Sequence, residues 1–341
     1  MANNEYSHYF HAEAHALSGN LTLPFRQEIK KQAYVKLEGE LAKLTEAERA
    51  LRNYFSEKAE SYRLEGLISY SSAHTQVSGH RSDKHEAASV TLATAVVEDL
   101  NILNVVTVDR VVAQIVATHF KDRYAPELTF VGTQFDNLKI AGHRVKPFLN
   151  VNLTSVKPGD GNAMHVDQGT SLMTAIEKQY KLLKAKLKGV ADAELKKMRL
   201  QHPGGTLEKY DGFADLNYGN IKAGAGAAQK ADLEARKAGK KPAGEWDGVT
   251  CSLVEDVEIE TIRGNDAEGA AHEIKPQARP FGHVIHVPHF GNIFLAELTV
   301  KHNSYNLTMI RTEMGCATSG TASAAGVNVN GSGGSAGGGG N

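Results

Sequence analysis

Three histidines, His283, His286 and His289, sit at intervals of three in the segment GHVIHVPHFG, residues 282–291. Neutral imidazole is a common ligand for zinc and related divalent ions, which want three or four N, S or O donors. On an extended strand, residues three apart point to opposite faces. His283 and His289 therefore share a side, about 20 Å apart, and His286 faces away. A turn would be needed to bring them together, and Pro288 and Gly291 supply one. These three residues are the candidate metal ligands, and a divalent metal is the cofactor they would hold. The plainer expectation is a set of cross-strand and turn histidines with no cofactor. Cys251 or Cys316 could add a soft ligand, although no spacing requires it.

Other reactive side chains form weaker patterns. His8, His11 and His15 would share one face of a helix, but only Glu13 is spaced to complete a ligand set, so a loosely ordered arm is expected there. His74, His80, His85 and His119 would have to converge by folding. Glu98-Asp99, Asp109 and Asp256 offer carboxylates near strand ends. Paired carboxylates can do acid–base work or bind calcium, and charge also guards sheet edges. No Gly-x-Ser-x-Gly elbow and no phosphate-binding glycine loop occurs. The run from Gly224 has Gln229 where a third glycine belongs.

The totals bound the function classes. A chain of 341 residues with 41% hydrophobic residues can hold one large domain or two ordinary ones. A net charge of −1 argues against general nucleic-acid binding, which needs a concentrated positive surface. No apolar run reaches the length of a transmembrane helix, and the first twenty residues lack the plan of a Sec signal peptide. The expected location is the cytoplasm, or outside it by a non-Sec route. The two cysteines, Cys251 and Cys316, are expected to be separate thiols, with a single bridge as the alternative.

The elements that must position these groups are mostly strands. Residues 1–26 read as an N-terminal arm, and 27–169 as a first β half with one short helix. That helix opens on the capping box Thr45-Glu46-Ala47-Glu48, carries Ala47, Leu51, Phe55 and Tyr62 on one side, and ends by Arg63. Asp109-Arg110 reads as a turn or a bulge in the Val-rich run that follows Asn101. Residues 170–248 form a helical and Gly-rich insertion. Its clearest part, 171–190, has Leu172, Ile176, Tyr180, Leu183 and Leu187 in one stripe. The other face carries Lys178, Lys181, Lys184, Lys186 and Lys188, and the functional expectation for it is an anionic partner. Trp246 is expected to anchor the return to the β core. A second β half spans 249–318, and 319–341 is a Gly-rich tail, flexible unless a partner orders it.

The two β halves echo each other. Val97-Glu98-Asp99 recurs as Val254-Glu255-Asp256, and aligning Ala113 with Ala296 sets Ile115 on Leu298, Ala117 on Val300 and His119 on His302. The expected fold is mainly β: a β sandwich or related layered core assembled from two similar halves, with the helical insertion. The phrases KQAYVKLEGE, YRLEGLISYSSAHTQVSG, VVEDLNILNVVTVDRVVAQI, FVGTQFDNLKIAGH and GHVIHVPHFGNIFLAELTV together resemble an uncharacterised family of bacterial proteins with no assigned activity. The resemblance covers roughly 24–155 and 280–316 and implies a β-rich core, with no site residue attached. The leading functional expectation is a structural, self-assembling β protein without catalysis, likewise expected to associate with itself. The alternatives are a metal-dependent enzyme or metal-binding protein built on a histidine/carboxylate site, and a small-ligand or glycan-binding β module.

Overall fold

Small apolar residues alternate with polar ones through 88–120, and the chain uses them as the longest hairpin of the fold. A computed structural model describes residues 7–40, 54–81, 88–120, 126–154, 172–187, 190, 249–265, 271–301, 304–315 and 318–334. The N-terminal strands are β1 (Ser7–Leu23), β2 (Gln27–Gln32) and β3 (Val35–Glu40). Next come β4 (Tyr54–Ala59), β5 (Tyr62–Leu64), β6 (Ile68–Tyr70) and β7 (Ser72–Arg81). The long hairpin is β8 (Ala88–Ile102) and β9 (Val106–Phe120), followed by β10 (Glu127–Thr129), β11 (Gln134–Asp136), β12 (Lys139–Ile140) and β13 (His143–Leu149). After helix α1 (Leu172–Leu187) come β14 (Val249–Ser252), β15 (Val254–Ile259), β16 (Ile262–Asn265) and β17 (Ala271–Ile274). The chain closes with β18 (Arg279–Phe281), β19 (Val284–Val287), β20 (Gly291–Lys301), β21 (Ser304–Gly315) and β22 (Ser319–Gly334).

All but β16 and β17, which pair with each other as a separate hairpin, form a sandwich of two antiparallel sheets. One has the order β18-β19-β20-β21-β22-β1-β2, with β14 beside β20 and β3 beside β1. The other runs β15-β13-β12-β9-β8-β6-β5, with β7 between β8 and β4, and β10 and β11 beside β9. Strands β1, β21 and β22 lie across β7, β8 and β9, so the core is the space between these two inner faces. Phe10, Ala12, Ala14, Val327 and Val329 from one sheet meet Val77, Ala93, Ala95, Ile115 and Ala117 from the other, all fully buried. The sheets approach closely where β1 and β3 cross β7. A Cβ on Gly79 would stand 2.5 Å from Phe10 Cδ1 and 3.0 Å from Leu37 Cδ2, so only glycine fits.

Both sheets keep an apolar inner face over strands long enough to twist away from it, and they do so by changing phase on one rung. In β8 the buried positions run Ala93, Ala95, Val97 and then Leu100; in β9 they run Val106, Val108 and then Val111. The shift falls beside Asp99, which has φ +51°, and opposite Asp109. The expected irregularity at Asp109-Arg110 is this phase change. The hairpin turn itself is Leu103-Asn104, both near φ +54°, the pattern of a type I′ turn. The other sheet shifts on a line through Ala296 (φ +48°), Met309, Ala325 (φ +51°) and Ala16, which lie side by side on β20, β21, β22 and β1.

Three expectations are corrected. The segment expected as a free Gly-rich tail forms β22 over Ser319–Gly334, between β21 and β1. Its Ala322, Ala324, Val327 and Val329 are buried, and its small residues let it lie between two neighbours. The expected N-terminal arm is β1, paired with β22 from Ser7↔Gly334 to Leu23↔Ser319. Phe55 and Tyr62, assigned to a short helix, lie on β4 and β5, because β4 finds a strand partner in β7 and β5 one in β6. The proposed start of that helix, 45–53, lies outside the described residues, as do 191–248 with Trp246, His85, His302 and Cys316.

The echoed phrase encodes strand sidedness. Val97 and Val254 are both fully buried, as are Ile115 and Leu298, and Ala117 and Val300. Yet β20 lies in one sheet while β8, β9 and β15 lie in the other.

Candidate functional site

The histidine segment folds as two successive turns around β19. Gly282, at φ +71°, starts the tight turn from β18 to β19 with His283 as its second residue. Val287, Pro288, His289 and Phe290 make the next turn, closed by the Phe290 N–H to the Val287 carbonyl at 3.1 Å. His289 takes φ +63° at the position after proline, as a type II turn demands. His283 and His289 thus sit at opposite ends of β19, and His286 lies in its middle. His283 and His286 are buried and His289 is exposed. Among the described residues, no three His, Cys, Asp or Glu side chains are grouped so as to hold a metal ion. The Pro288 turn reverses the chain after His289, but the span of β19 keeps the three imidazoles apart.

His286 instead belongs to a polar rung. It stands between Arg279 of β18 and Asn292 of β20, with Glu313 next along the row. Its Nδ1 lies 2.9 Å from Asn292 Oδ1, so Nδ1 carries the proton and Nε2 the lone pair. Burial pulls its pKa down; the Asn292 hydrogen bond opposes that, and Arg279 adds to it. The result is a neutral imidazole. His283 is pushed down to about 4 by burial and by the nearby Arg311 charge.

Beside this rung is an ion cluster that the sequence did not flag. Arg311 of β21 donates Nη2–H to Glu297 Oε1 at 2.8 Å, Nε–H to Glu297 Oε2, and Nη1–H to Glu313 Oε1 at 2.5 Å. Its guanidinium lies 3.7 Å from the centroid of the Phe294 ring, the neighbour opposite it on β20. Burial works against the charge, but the two carboxylates hold the arginine firmly protonated. Glu297 is itself buried. The cluster is satisfied within itself, and a bidentate arginine already bound to carboxylate is committed to holding β20 and β21 together. Its only sequence signal is the cross-strand spacing of Glu297 and Arg311, which appears once the register is known.

The remaining candidates separate by sheet face. On β1, His8 points into the sandwich, while His11 and His15 are half-buried; period two replaces the expected helical spacing. The His8 and His119 rings meet between the sheets, with centroids 4.7 Å apart, and His8 also stands edge-on to Phe10 at 4.5 Å. Burial lowers His8 to about 4. His74 and His80 are exposed on β7, so they do not join His119. The carboxylates are held locally. Ser72 Oγ–H donates to Glu98 at 2.6 Å, Ser71 Oγ–H to Asp99 at 2.7 Å, and Asn137 Nδ2–H to Asp109 at 3.0 Å. Cys251 is a free, buried thiol, and burial first and Glu297 second push its pKa up to about 12.

The anionic partner expected at the basic helix is overturned by where α1 sits. Lys178 Nζ bonds Glu255 Oε2 at 3.0 Å, and Lys186 Nζ bonds Asp256 Oδ1 at 2.5 Å, so carboxylates of β15 already face the lysines. Between them, the Gln179 amide donates to the Ser252 carbonyl at 2.6 Å and accepts from the Ser252 N–H at 3.1 Å. Gln179 thus mimics a neighbouring strand where the chain leaves one sheet for the other. At that crossing, Leu253 donates to the Ala296 carbonyl at 2.9 Å and its own carbonyl accepts from Asn150 N–H at 2.7 Å.

No helix among the described residues is long and apolar enough to cross a membrane. Comparison with known proteins finds a family profile, described as a domain of unknown function (DUF8256), that matches residues 8–301. No curated protein matches the chain, and no solved structure does.

Proposed function

The chain belongs to the DUF8256 family of domains of unknown function, and we propose that its role is structural: a self-associating β protein without catalytic activity. One observation carries this reading. Large apolar side chains stand exposed on β4, at the margin of one sheet, and on the separate β16–β17 hairpin. Tyr54 is 51% and Phe55 39% exposed on β4. Ile262 and Ile274 sit opposite each other on the two-stranded sheet β16–β17, at 39% and 44% exposure. A two-stranded hairpin is marginal alone, and its apolar pair gains most from contact with another surface. Meanwhile His286, the His8–His119 pair and the carboxylates described above serve contacts within the chain. Mass photometry of the full chain at micromolar concentration tests the proposal. Oligomers are expected, and a strictly monomeric population would sink it.

The same reading expects no bound metal. His286 is engaged by Asn292, and His283 and His289 lie at the two ends of β19. Elemental analysis of protein purified without chelator should find less than stoichiometric divalent metal. A stoichiometric ion that His286→Ala removes would instead favour the metal-binding alternative.

A further inference from the structure

We propose that two copies of this chain join edge to edge through β4, antiparallel about a two-fold axis at Ser56, so that one β sheet runs across both. The proposal rests on the self-association reading and names its surface.

The sheet margins are unequally protected. In one sheet, β18 is three residues long and contains Pro280, and β2 carries Glu28, Lys30 and Lys31 in exposed positions. In the other, β15 carries Glu255, Asp256 and Glu258 and is flanked by the lysines of α1. Short strands, proline and charge are the usual devices that stop an edge from accepting another strand. β4 has few of them. It pairs with β7 along its whole length, from Tyr54↔Ser78 to Ala59↔Ala73, and among the described residues no strand hydrogen-bonds to its other edge. Tyr54 through Lys58 are all exposed, with neither proline nor glycine among them.

Its side chains favour a second copy of itself. Two antiparallel strands related by a two-fold axis must pair some residue with its own equivalent. Centred on Ser56, the register sets Tyr54 against Lys58 of the second copy, Phe55 against Glu57, and Ser56 against Ser56. That gives two ring–ammonium pairs and a hydroxyl pair, with no like charges directly opposite. Centred on Glu57, it would set two carboxylates face to face, and a parallel in-register pairing would oppose both Glu57 and Lys58 to themselves. Charge thus disfavours parallel pairing and the registers centred on Glu57 or Lys58, and the Ser56 register is the one that sets each Tyr54 ring against a Lys58 ammonium.

The test uses the full-length chain. Ser56→Lys puts two ammonium groups on the axis and should raise the dimer dissociation constant at least tenfold in mass photometry, with the circular dichroism spectrum unchanged. In an independent measurement, Ser56→Cys should be captured as a covalent dimer under mild oxidation, while Lys30→Cys on the β2 edge and the unsubstituted chain should not. Oligomers that are indifferent to Ser56→Lys and give no Ser56→Cys crosslink would overturn this surface and leave self-association standing. A monomeric unsubstituted chain would overturn both.

Discussion

Ala296 holds φ at +48° in the interior of a strand, fully buried, and Ala325 repeats this at +51° two strands away. The left-handed region costs a residue with a Cβ about 1–2 kcal/mol. At Ala296 the conformation aims the carbonyl at the Leu253 N–H, where the chain crosses between the sheets. Alanine is the smallest side chain that still fills the core there. Two substitutions separate the backbone effect from packing. Ala296→Gly should change stability by no more than about 1 kcal/mol, because relief of strain offsets the freedom gained by the unfolded chain. Ala296→Val should destabilise by about 2–4 kcal/mol, since a β-branched residue fits neither the φ nor the space. Urea unfolding of both variants checks this, and equal losses would mean that strain is not what distinguishes the site. The residue scale was also the least legible. His283, His286 and His289 stand out in the sequence as a ligand pattern, yet strand alternation and the length of β19 separate them. The Arg311 cluster has no pattern to read, because it depends on which strands become neighbours.

At the scale of elements, the strongest periodicities mark strands: β3, β8, β9 and β20 follow alternation that any neighbour would satisfy. The stripe over 171–190 likewise gives α1 at Leu172–Leu187. Composition is a poor proxy for order at the C-terminal end of this chain. Glycine, serine and alanine cannot build a core alone, so 319–341 reads as a tail, yet Ser319–Gly334 of it is a strand. In the fold those small residues lie between β21 and β1, whose side chains supply the apolar surface. Gly326 shows the fit: a Cβ there would lie 2.3 Å from the His15 ring. Strand β1 reads as an arm for the complementary reason, since β22, the partner along its whole length, lies at the far end of the chain. A central strand removed leaves two unpaired edges and an open core. Truncation after Thr318 should therefore give an insoluble or unfolded product, whereas removing 335–341 should leave the thermal midpoint within a few degrees. A soluble, cooperatively unfolding chain ending at 318 would show that β22 is dispensable.

For the whole molecule, the sandwich has put imidazoles where charge is costly. Burial lowers His8 of β1 to about 4; it does the same at His15, helped by Lys31 and opposed by Glu13, and at His283, helped by Arg311. In the unfolded chain each returns to its usual value near 6.5. Between pH 6.5 and 4 the unfolded state therefore binds protons that the folded state refuses. The neutral forms contribute stability that is fully present above pH 6.5 and is lost as pH falls toward 4. Each histidine that stays neutral contributes a slope of up to about 1.4 kcal/mol per pH unit. The three report from separate places: His8 against His119 between the sheets, His15 over Gly326, and His283 beside Arg311. Their losses should add, because none touches another. Urea midpoints measured at pH 7.0, 5.5 and 4.5 should fall steeply, and His283→Gln should flatten the profile by one proton's worth while leaving the rest of the slope. A midpoint that stays level from pH 7.0 to 4.5 would mean that these imidazoles reach solvent before the chain unfolds.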